Sequence, residues 1–499
     1  MSSTPSPTRQ LTAGSTRVTL FDPFAGPPRI NSARRVGVRP GTELIHPLAV
    51  TGERPLRFEV DGLPEGLTAD ADGILRGTAP GEPGDHEIRV RVSNAVGTSE
   101  ATVQICVGSV LALTPPMGWN SWNVYGERVT AEVIVKTAEQ MVANGMRDLG
   151  YQYVNIDDHW HADSRADDGA PLANPDTFPG GIRPVADALH ALGLKLGIYS
   201  DAAHLTCGKC FGGFGYEKID ATSYAAWGAD LLKYDYCYAP RDRASAKARY
   251  TAMSQALKAT DRSIVFSVCE WGRRKPWLWA KDVGGSYWRT TLDIFDTFSW
   301  LFFGVRGIAH RNLKLADYAG PGAWNDPDML LIGNRGRGHV TSRLKIGPKG
   351  RSTIKLRGLD DAEALSHMTL WAMMAAPLLA SHDLATGNDL DTALLTNPHV
   401  LAVNQDELGQ QGRKVRSAPG VWQLVKPLAN GGVAISFTNV TRMPRTVEAD
   451  ISGLVPTGEL MVIDAWSGEE LGDVRSLAAK LGRHESVMYV ARPVGAATA

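Results

Sequence analysis

The sequence predicts an α/β protein: a (β/α)8 TIM barrel with a small all-β domain on each side. Three observations predict it. Apolar residues alternate with period two from about Pro28 to Val107. Short apolar strands then alternate with helical stretches from Leu111 to about Leu384, and alternating strands return after Gln405. Period-two runs with Gly/Pro turns specify β-sandwiches, whereas strands separated by crossover helices specify a parallel sheet. The length of 499 residues leaves room for about three domains at roughly 150 residues each. Hydrophobic residues make up 43% of the chain and charged residues 21%, which excludes a disordered chain.

The elements follow in order. Of the first 16 residues, 11 are Ser, Thr, Pro or Gly, so residues 1–27 read as a flexible tail. Residues 28–108 read as a β-sandwich, with Leu56–Val60 and Ile88–Val92 alternating and Thr102–Ile105 returning across Ser93–Gly97. Residues 109–408 read as the barrel. There Ile134, Ala138, Met141 and Val142 follow helical spacing behind a Thr130 cap, and Gly145 and Gly150 break the helix. Val185, Leu189 and Leu192 line the next helix. Candidate strands are Met117–Trp119, Tyr153–Ile156, Leu194–Tyr199, Leu231–Tyr234, Ile264–Val268, Tyr287–Thr291, Gly322–Trp324 and Pro377–Ala380. Eight strands in about 270 residues close a barrel. Residues 409–499 read as a C-terminal antiparallel β-sandwich, through Val421–Val425, Val433–Phe437, Leu460–Ile463 and Val487–Val490. One segment stands apart: Arg335 to Arg357 carries eight Lys/Arg and no acid, and reads as a solvated insertion after the seventh strand.

Composition narrows the partners. With 52 basic against 53 acidic residues and a net charge of −1, no basic face is expected for nucleic acid or anionic membrane. No apolar run approaches the roughly 20 residues that span a bilayer. The N-terminus has no apolar signal core, so the cytoplasm is the default expectation, with secretion the alternative if a signal was removed. A homo-oligomer is compatible with the sequence. Five cysteines are too few, and odd in number, for a disulfide framework.

Working residues of such a barrel sit at the C-terminal strand ends. Those ends read Trp119-Asn120-Ser121-Trp122, Asp157-Asp158, Tyr199-Ser200-Asp201, Lys233-Tyr234-Asp235, Cys269-Glu270-Trp271, then Arg289 with Asp293, and Trp324-Asn325-Asp326-Pro327-Asp328. Singly, each is ordinary: an Asp caps helices, a Trp fills a core. Together they describe a funnel of carboxylates with aromatic walls, which suits a polyhydroxylated ligand. Two chemistries remain open at this point. Divalent-metal catalysis wants oxygen ligands and often histidine, and His159 and His161 follow Asp158 without a paired-histidine motif. Glycoside hydrolysis needs only two carboxylates.

Longer motifs choose between them. Thr114-Pro115-Pro116-Met117-Gly118-Trp119-Asn120-Ser121-Trp122 and Tyr153-Val154-Asn155-Ile156-Asp157-Asp158 resemble glycoside hydrolase family 27, the α-galactosidases and α-N-acetylgalactosaminidases. So do Phe178–Ile182, Gly193–Tyr199, Leu232-Lys233-Tyr234-Asp235 and Trp324–Leu330, in the family order, over about residues 114 to 410. The N-terminal segment resembles the immunoglobulin-like domain of some bacterial relatives.

The resemblance implies a retaining α-galactosidase without metal or other cofactor, acting on a terminal α-galactoside. It implies Asp235 as nucleophile and Asp293 as acid/base. It implies Asp157 and Asp158 on the galactose 4- and 6-hydroxyls, with Trp119, Tyr199, Lys233, Arg289 and Asp328 as the remaining wall. Cys207 and Cys237 align with a disulfide beside the nucleophile. Glu270 and Trp271 fall where the sugar's 2-substituent is read, and their bulk favours galactose over N-acetylgalactosamine. The physics agrees, since Lys233 shares a strand face with Asp235 and would keep it anionic. β-L-Arabinopyranosidase, α-N-acetylgalactosaminidase, isomaltose-releasing dextranase and a non-catalytic glycan binder are the competing readings. Four departures stand out: Leu292 where Gly or Ala is usual, His159 in place of a Cys, an unexpected Cys210, and the basic insertion.

Overall fold

The computed structural model describes residues 9–300, 302–346, 352–415, 418–454 and 458–495. The chain forms two compact units, one of residues 23–291 with 322–326, the other of 1–22, 292–321 and 327–499.

In the first unit, the segment expected to be a sandwich is one. Strands Arg35–Val38, Thr98–Val107, Gly84–Ser93 and Arg57–Asp61 form one sheet in that order, facing a sheet of Glu43–Pro47, Ile74–Thr78 and Leu67–Ala69. Alternation does the work: Ile88, Val90 and Val92 are buried while Arg89 and Arg91 are exposed, and Ile88 pairs with Val103. The buried face joins Leu44, Leu75 and Ile105 in one core.

The same unit holds seven parallel strands in chain order: β1 Met117–Asn120, β2 Tyr153–Asn155, β3 Lys195–Asp201, β4 Ala229–Asp235, β5 Val265–Val268, β6 Tyr287–Arg289 and β7 Trp324–Asp326. Leu378–Ala380 (β8) counts as the eighth strand of the sheet. The helix Ala131–Ala143 starts where expected, because Thr130 Oγ1 accepts the Val133 N–H and Ile134, Ala138 and Met141 face the core. The main shift is at β7, which begins two residues later than the apolar run suggests and takes Asn325 and Asp326 into the sheet.

A buried ionic cluster joins sandwich to barrel. Arg262 donates to Glu43 at 2.6 Å and to Asp230 at 2.7 Å, and Asp230 also meets His190 at 2.8 Å. Arg39 adds bonds to the carbonyls of Leu257 and Arg262, at the end of the helix Arg243–Lys258. Burial would raise the Asp230 carboxyl, but His190 and Arg262 outweigh it and hold its pKa below the usual value.

The second unit contains the C-terminal β-sandwich. Its main sheet orders Arg413–Val415, Val421–Pro427, Val433–Asn439, Ser486–Pro493, Leu460–Asp464 and Glu470–Gly472, and Arg445–Asp450 pairs with Ser476–Leu481. Ile435, Phe437, Val462 and Leu481 lie in its core. Of residues 1–27, read as a flexible tail, residues 1–8 lie outside the described ones and the reading is corrected for the part that follows. Arg9–Ala13 and Thr16–Leu20 form a hairpin. Glu485, itself buried, accepts the N–H and hydroxyl of Thr16 at 2.7 and 2.9 Å, and Thr19 donates to the Trp466 carbonyl. Composition suggested disorder, but Thr is a good strand former once it has a partner.

The basic insertion forms a hairpin of Arg343–Ile346 and Ser352–Lys355, with residues 347–351 outside the described ones. Its two ends are tied down, because Arg335 binds Asp391 and Asp361 while Arg357 binds Glu363. Among the described residues, no helix is long and apolar enough to cross a membrane.

Candidate active site

β3 and β4 each end on a buried aspartate, Asp201 and Asp235, paired directly across the sheet, with Tyr199 opposite Lys233 two residues earlier. Strand alternation therefore puts all four on one face. The Asp235 carboxylate accepts the Tyr199 hydroxyl at 3.2 Å and the Tyr236 N–H at 3.0 Å. Cys207 Sγ lies 3.4 Å from Asp235 Oδ2, and Cys207 is bridged to Cys237. Cys106, Cys210 and Cys269 are not disulfide-bonded.

The neighbouring strand end supplies the aspartate pair. Asp157 Oδ2 accepts Lys233 Nζ at 2.7 Å and Asn120 Nδ2 at 2.8 Å, and the Asp157 N–H donates to Ser121 Oγ. Asp158 accepts the N–H groups of His159 and Gly208 at 2.8 and 2.7 Å. Gly208 is required at this approach: a Cβ there would lie 2.8 Å from Asp158 Oδ2 and 2.3 Å from His159 Nε2. Burial pushes the Asp158 carboxyl up, and these N–H groups temper the shift. Burial would lower Lys233, but Asp157 and Asp235 outweigh it and keep the amine charged.

Asp201 is the carboxyl that composition undervalued. It stands in the strand-end motif of β3, yet nothing in the sequence says that it faces Asp235. It is fully buried, and Oδ2 accepts the Cys237 N–H at 2.8 Å. Burial and the adjacent Asp235 push it up to about 9, so it is a neutral acid when Asp235 is an anion. Asn120 and Ser121 were likewise visible only as strand-end residues, and register gives them their role on Asp157.

The remaining wall residues are in the same unit. Trp119 is fully buried, and its carbonyl accepts Asn155 Nδ2. Arg289 donates to the Thr291 carbonyl at 3.2 Å and reaches Cys269 Sγ at 3.9 Å. Glu270 is buried, with Oε2 on the backbone and guanidinium of Arg274 and Oε1 without a hydrogen-bond partner. Burial pushes its pKa up to about 7. Trp271 has φ +58° and carries the Arg273 guanidinium 5.6 Å from its ring centre.

Asp293 and Asp328 belong to the other unit. Asp293 is solvent-exposed. Asp328, at φ +94°, accepts the Ile294 N–H at 2.8 Å and the Met329 N–H at 2.9 Å, which holds the backbone just after Asp293. Asp296 fastens the same segment by accepting from Ser342, Gly336 and Leu359.

A (β/α)8 sheet whose strand ends carry a buried aspartate, a second buried aspartate pair and a lysine between them defines the class: a barrel glycoside hydrolase. The comparisons agree. The family model described as alpha galactosidase A matches residues 114–346 and 352–406, and that of the alpha galactosidase C-terminal beta sandwich domain matches 419–491. An alpha-galactosidase of Cyamopsis tetragonoloba is 41% identical over 387 residues, 77% of this chain and 87% of that protein. A Coffea arabica alpha-galactosidase is 41% identical over 401 residues, covering 80% of this chain and 98% of that one. The solved alpha-galactosidase I of Mortierella vinacea is 31% identical, with a TM-score of 0.69 over 78% of this chain and 99% of its own. The chain belongs to glycoside hydrolase family 27, the melibiase family.

Proposed function

We propose that the protein is a retaining α-galactosidase that removes terminal non-reducing α-D-galactosyl residues from oligosaccharides or glycoconjugates. The observation that carries this reading is the buried carboxylate of Asp235 at the end of β4, one strand-face step from Lys233 and hydrogen-bonded by Tyr199.

In this reading Asp235 attacks the anomeric carbon while Asp293 gives its proton to the departing glycosidic oxygen. The C1–O bond breaks and a covalent galactosyl ester forms on Asp235. Asp293 then takes a proton from water, which attacks C1 and frees Asp235, so two inversions give net retention. Lys233 stays charged and fixes Asp157, leaving the Asp157–Asp158 pair to accept sugar hydroxyls. Trp119, Arg289 and Asp328 complete the wall, and Glu270 and Trp271 fill the space beside C2. Because Glu270 is held by Arg274, this side of the pocket is fixed and favours a 2-hydroxyl over an acetamide.

Hydrolysis of a panel of aryl glycosides tests the reading. Cleavage of the α-galactoside is expected to exceed that of the α-N-acetylgalactosaminide, β-L-arabinopyranoside and α-glucoside. A better rate on any of the other three replaces galactose as the substrate, and no cleavage of any with intact sugar binding makes the protein a glycan binder. The Cys207–Cys237 bridge also bears on location. In a cytoplasmic glutathione pool the two residues would be thiols, so alkylation trapping in cells tests the cytoplasmic assignment directly.

A further inference from the structure

Two of the departures from the family pattern, His159 and Cys210, lie together beside Asp158. Asp158, His161 and Cys210 each present one ligand atom, and these atoms lie within 4.8 Å of one another. Asp158 Oδ1 and His161 Nδ1 are 3.7 Å apart. His159 faces the group, with Nδ1 3.8 Å from Cys210 Sγ. A second observation points to a ligand: the His161 side chain is fully buried, and among the described residues neither ring nitrogen has a hydrogen-bond partner. A buried imidazole with two unused nitrogens is costly unless something binds it. The other sulfur-containing cluster, around Asp235, differs because its cysteines are already joined to each other.

We propose that Asp158, His161 and Cys210 form a binding site for a borderline-soft divalent cation such as Zn2+, with His159 within reach as a further ligand. The donor set decides the class of ion. One carboxylate oxygen, one imidazole nitrogen and one thiolate sulfur match Zn2+ or Co2+, whereas Mg2+ and Ca2+ want oxygens alone. Three ligand atoms separated by less than 5 Å close on such an ion with small side-chain rotations. Binding forms metal–oxygen, metal–nitrogen and metal–sulfur bonds, breaks the Cys210 S–H bond and releases that proton to solvent. The group is held in shape from outside. Cys210 N–H donates to Thr206 Oγ1, and His161 stacks on Trp160 at 4.0 Å and meets the Phe211 ring edge at 4.8 Å.

The consequence for catalysis rests on the proposed function, in which Asp158 accepts a galactose hydroxyl. The Asp158 carboxylate cannot give the same lone pairs to a metal and to a sugar. Metal and galactose then exclude each other, and the cation acts as a competitive inhibitor.

The experiment uses the full chain after treatment with a chelator, and Co2+ as the probe. One equivalent is expected to produce a near-ultraviolet thiolate-to-cobalt charge-transfer band, which galactose suppresses. Cys210→Ser should abolish the band, and His161→Gln should weaken or abolish it. Zn2+ should raise KM for an aryl α-galactoside with kcat unchanged. Cys210→Ser should raise the half-inhibitory Zn2+ concentration at least about tenfold, with metal-free kcat/KM retained. A band unchanged in Cys210→Ser, or no bound cobalt at all, overturns the site. Bound cobalt that galactose does not displace overturns the exclusion. An inactive metal-free protein would sink the galactosidase reading alone, since the cobalt spectrum still decides the metal site.

Discussion

Asp235 and Asp201 sit side by side on adjacent strands, and burial together with the neighbouring Asp235 pushes the Asp201 carboxyl up. Lys233 and the Tyr199 hydroxyl favour the anion on Asp235, whereas backbone N–H groups only temper the upward shift of Asp201. Replacing Asp235 by Gly should abolish turnover, and azide should restore some of it by entering the vacated space. The product expected is β-galactosyl azide, identified by NMR, and an α-azide would move the nucleophile elsewhere. Asp293→Asn should leave a good aryl leaving group nearly unaffected in the first step, because such a group departs without a proton. On that substrate the variant should show low kcat with low KM as the covalent intermediate accumulates, whereas raffinose-type substrates should be lost. Equal slowing of both would make Asp293 a binding carboxylate and bring Asp328 forward as the acid. For Asp201 the sign runs the other way from a paired acid. Its folded pKa, about 9, is above the usual carboxylate value, so the folded state takes up a proton and loses stability as pH rises between them. Asp201→Asn is neutral and nearly isosteric. It should therefore keep most activity and gain melting temperature relative to the parent from pH 5 to pH 8. The gain should grow with pH over that range, and a gain that stays constant would mean that Asp201 is ionised.

Among the elements, the docking of the N-terminal sandwich onto the barrel depends on charges far apart in sequence. Asp230→Ala leaves His190 without its carboxylate and Arg262 with Glu43 alone, which should cost about 3 kcal/mol, or on the order of 10 °C in melting temperature. Because the Asp230 pKa is lowered, its contribution is present above the usual carboxylate value and lost as pH falls. The gap between parent and variant should close in acid, as calorimetry at several pH values would show. A gap independent of pH would assign the loss to packing. These elements also mark what the sequence made legible. The period-two strands, the Thr130 cap and the aspartates at the ends of β2 and β4 were readable because each signal is local. The Glu43–Arg262–Asp230 cluster was not, since residues 219 positions apart announce nothing to each other in a linear reading. Asp201 was in plain view, but its meaning lies in its register against Asp235. Cys207 and Cys237 were placed by family resemblance, and the unexpected Cys210 stays outside their bridge.

On the scale of the whole molecule, the chain begins and ends in the same compact unit. Glu485 is almost fully buried and accepts from Ser15, Thr16 and Gly482. Deleting residues 1–22 removes most of those donors from a buried carboxylate, and the melting temperature should fall by several degrees. Glu485→Gln should recover part of that loss in the truncated chain while destabilising the full one, because an amide costs less to leave unpaired than a charge. Loss in both backgrounds would mean that the hairpin acts by covering surface alone. The same hairpin also sets an order of events during synthesis. Thr16 and Glu485 are 469 residues apart, a gap that a ribosome takes about 25 to 90 s to cover at typical elongation rates. Over that interval the hairpin has only itself to pair with, and a more apolar one would be an invitation to aggregate. The hairpin's own residues suit that wait, since Arg9, Gln10, Thr12, Ser15 and Arg17 keep it polar until the last strands emerge.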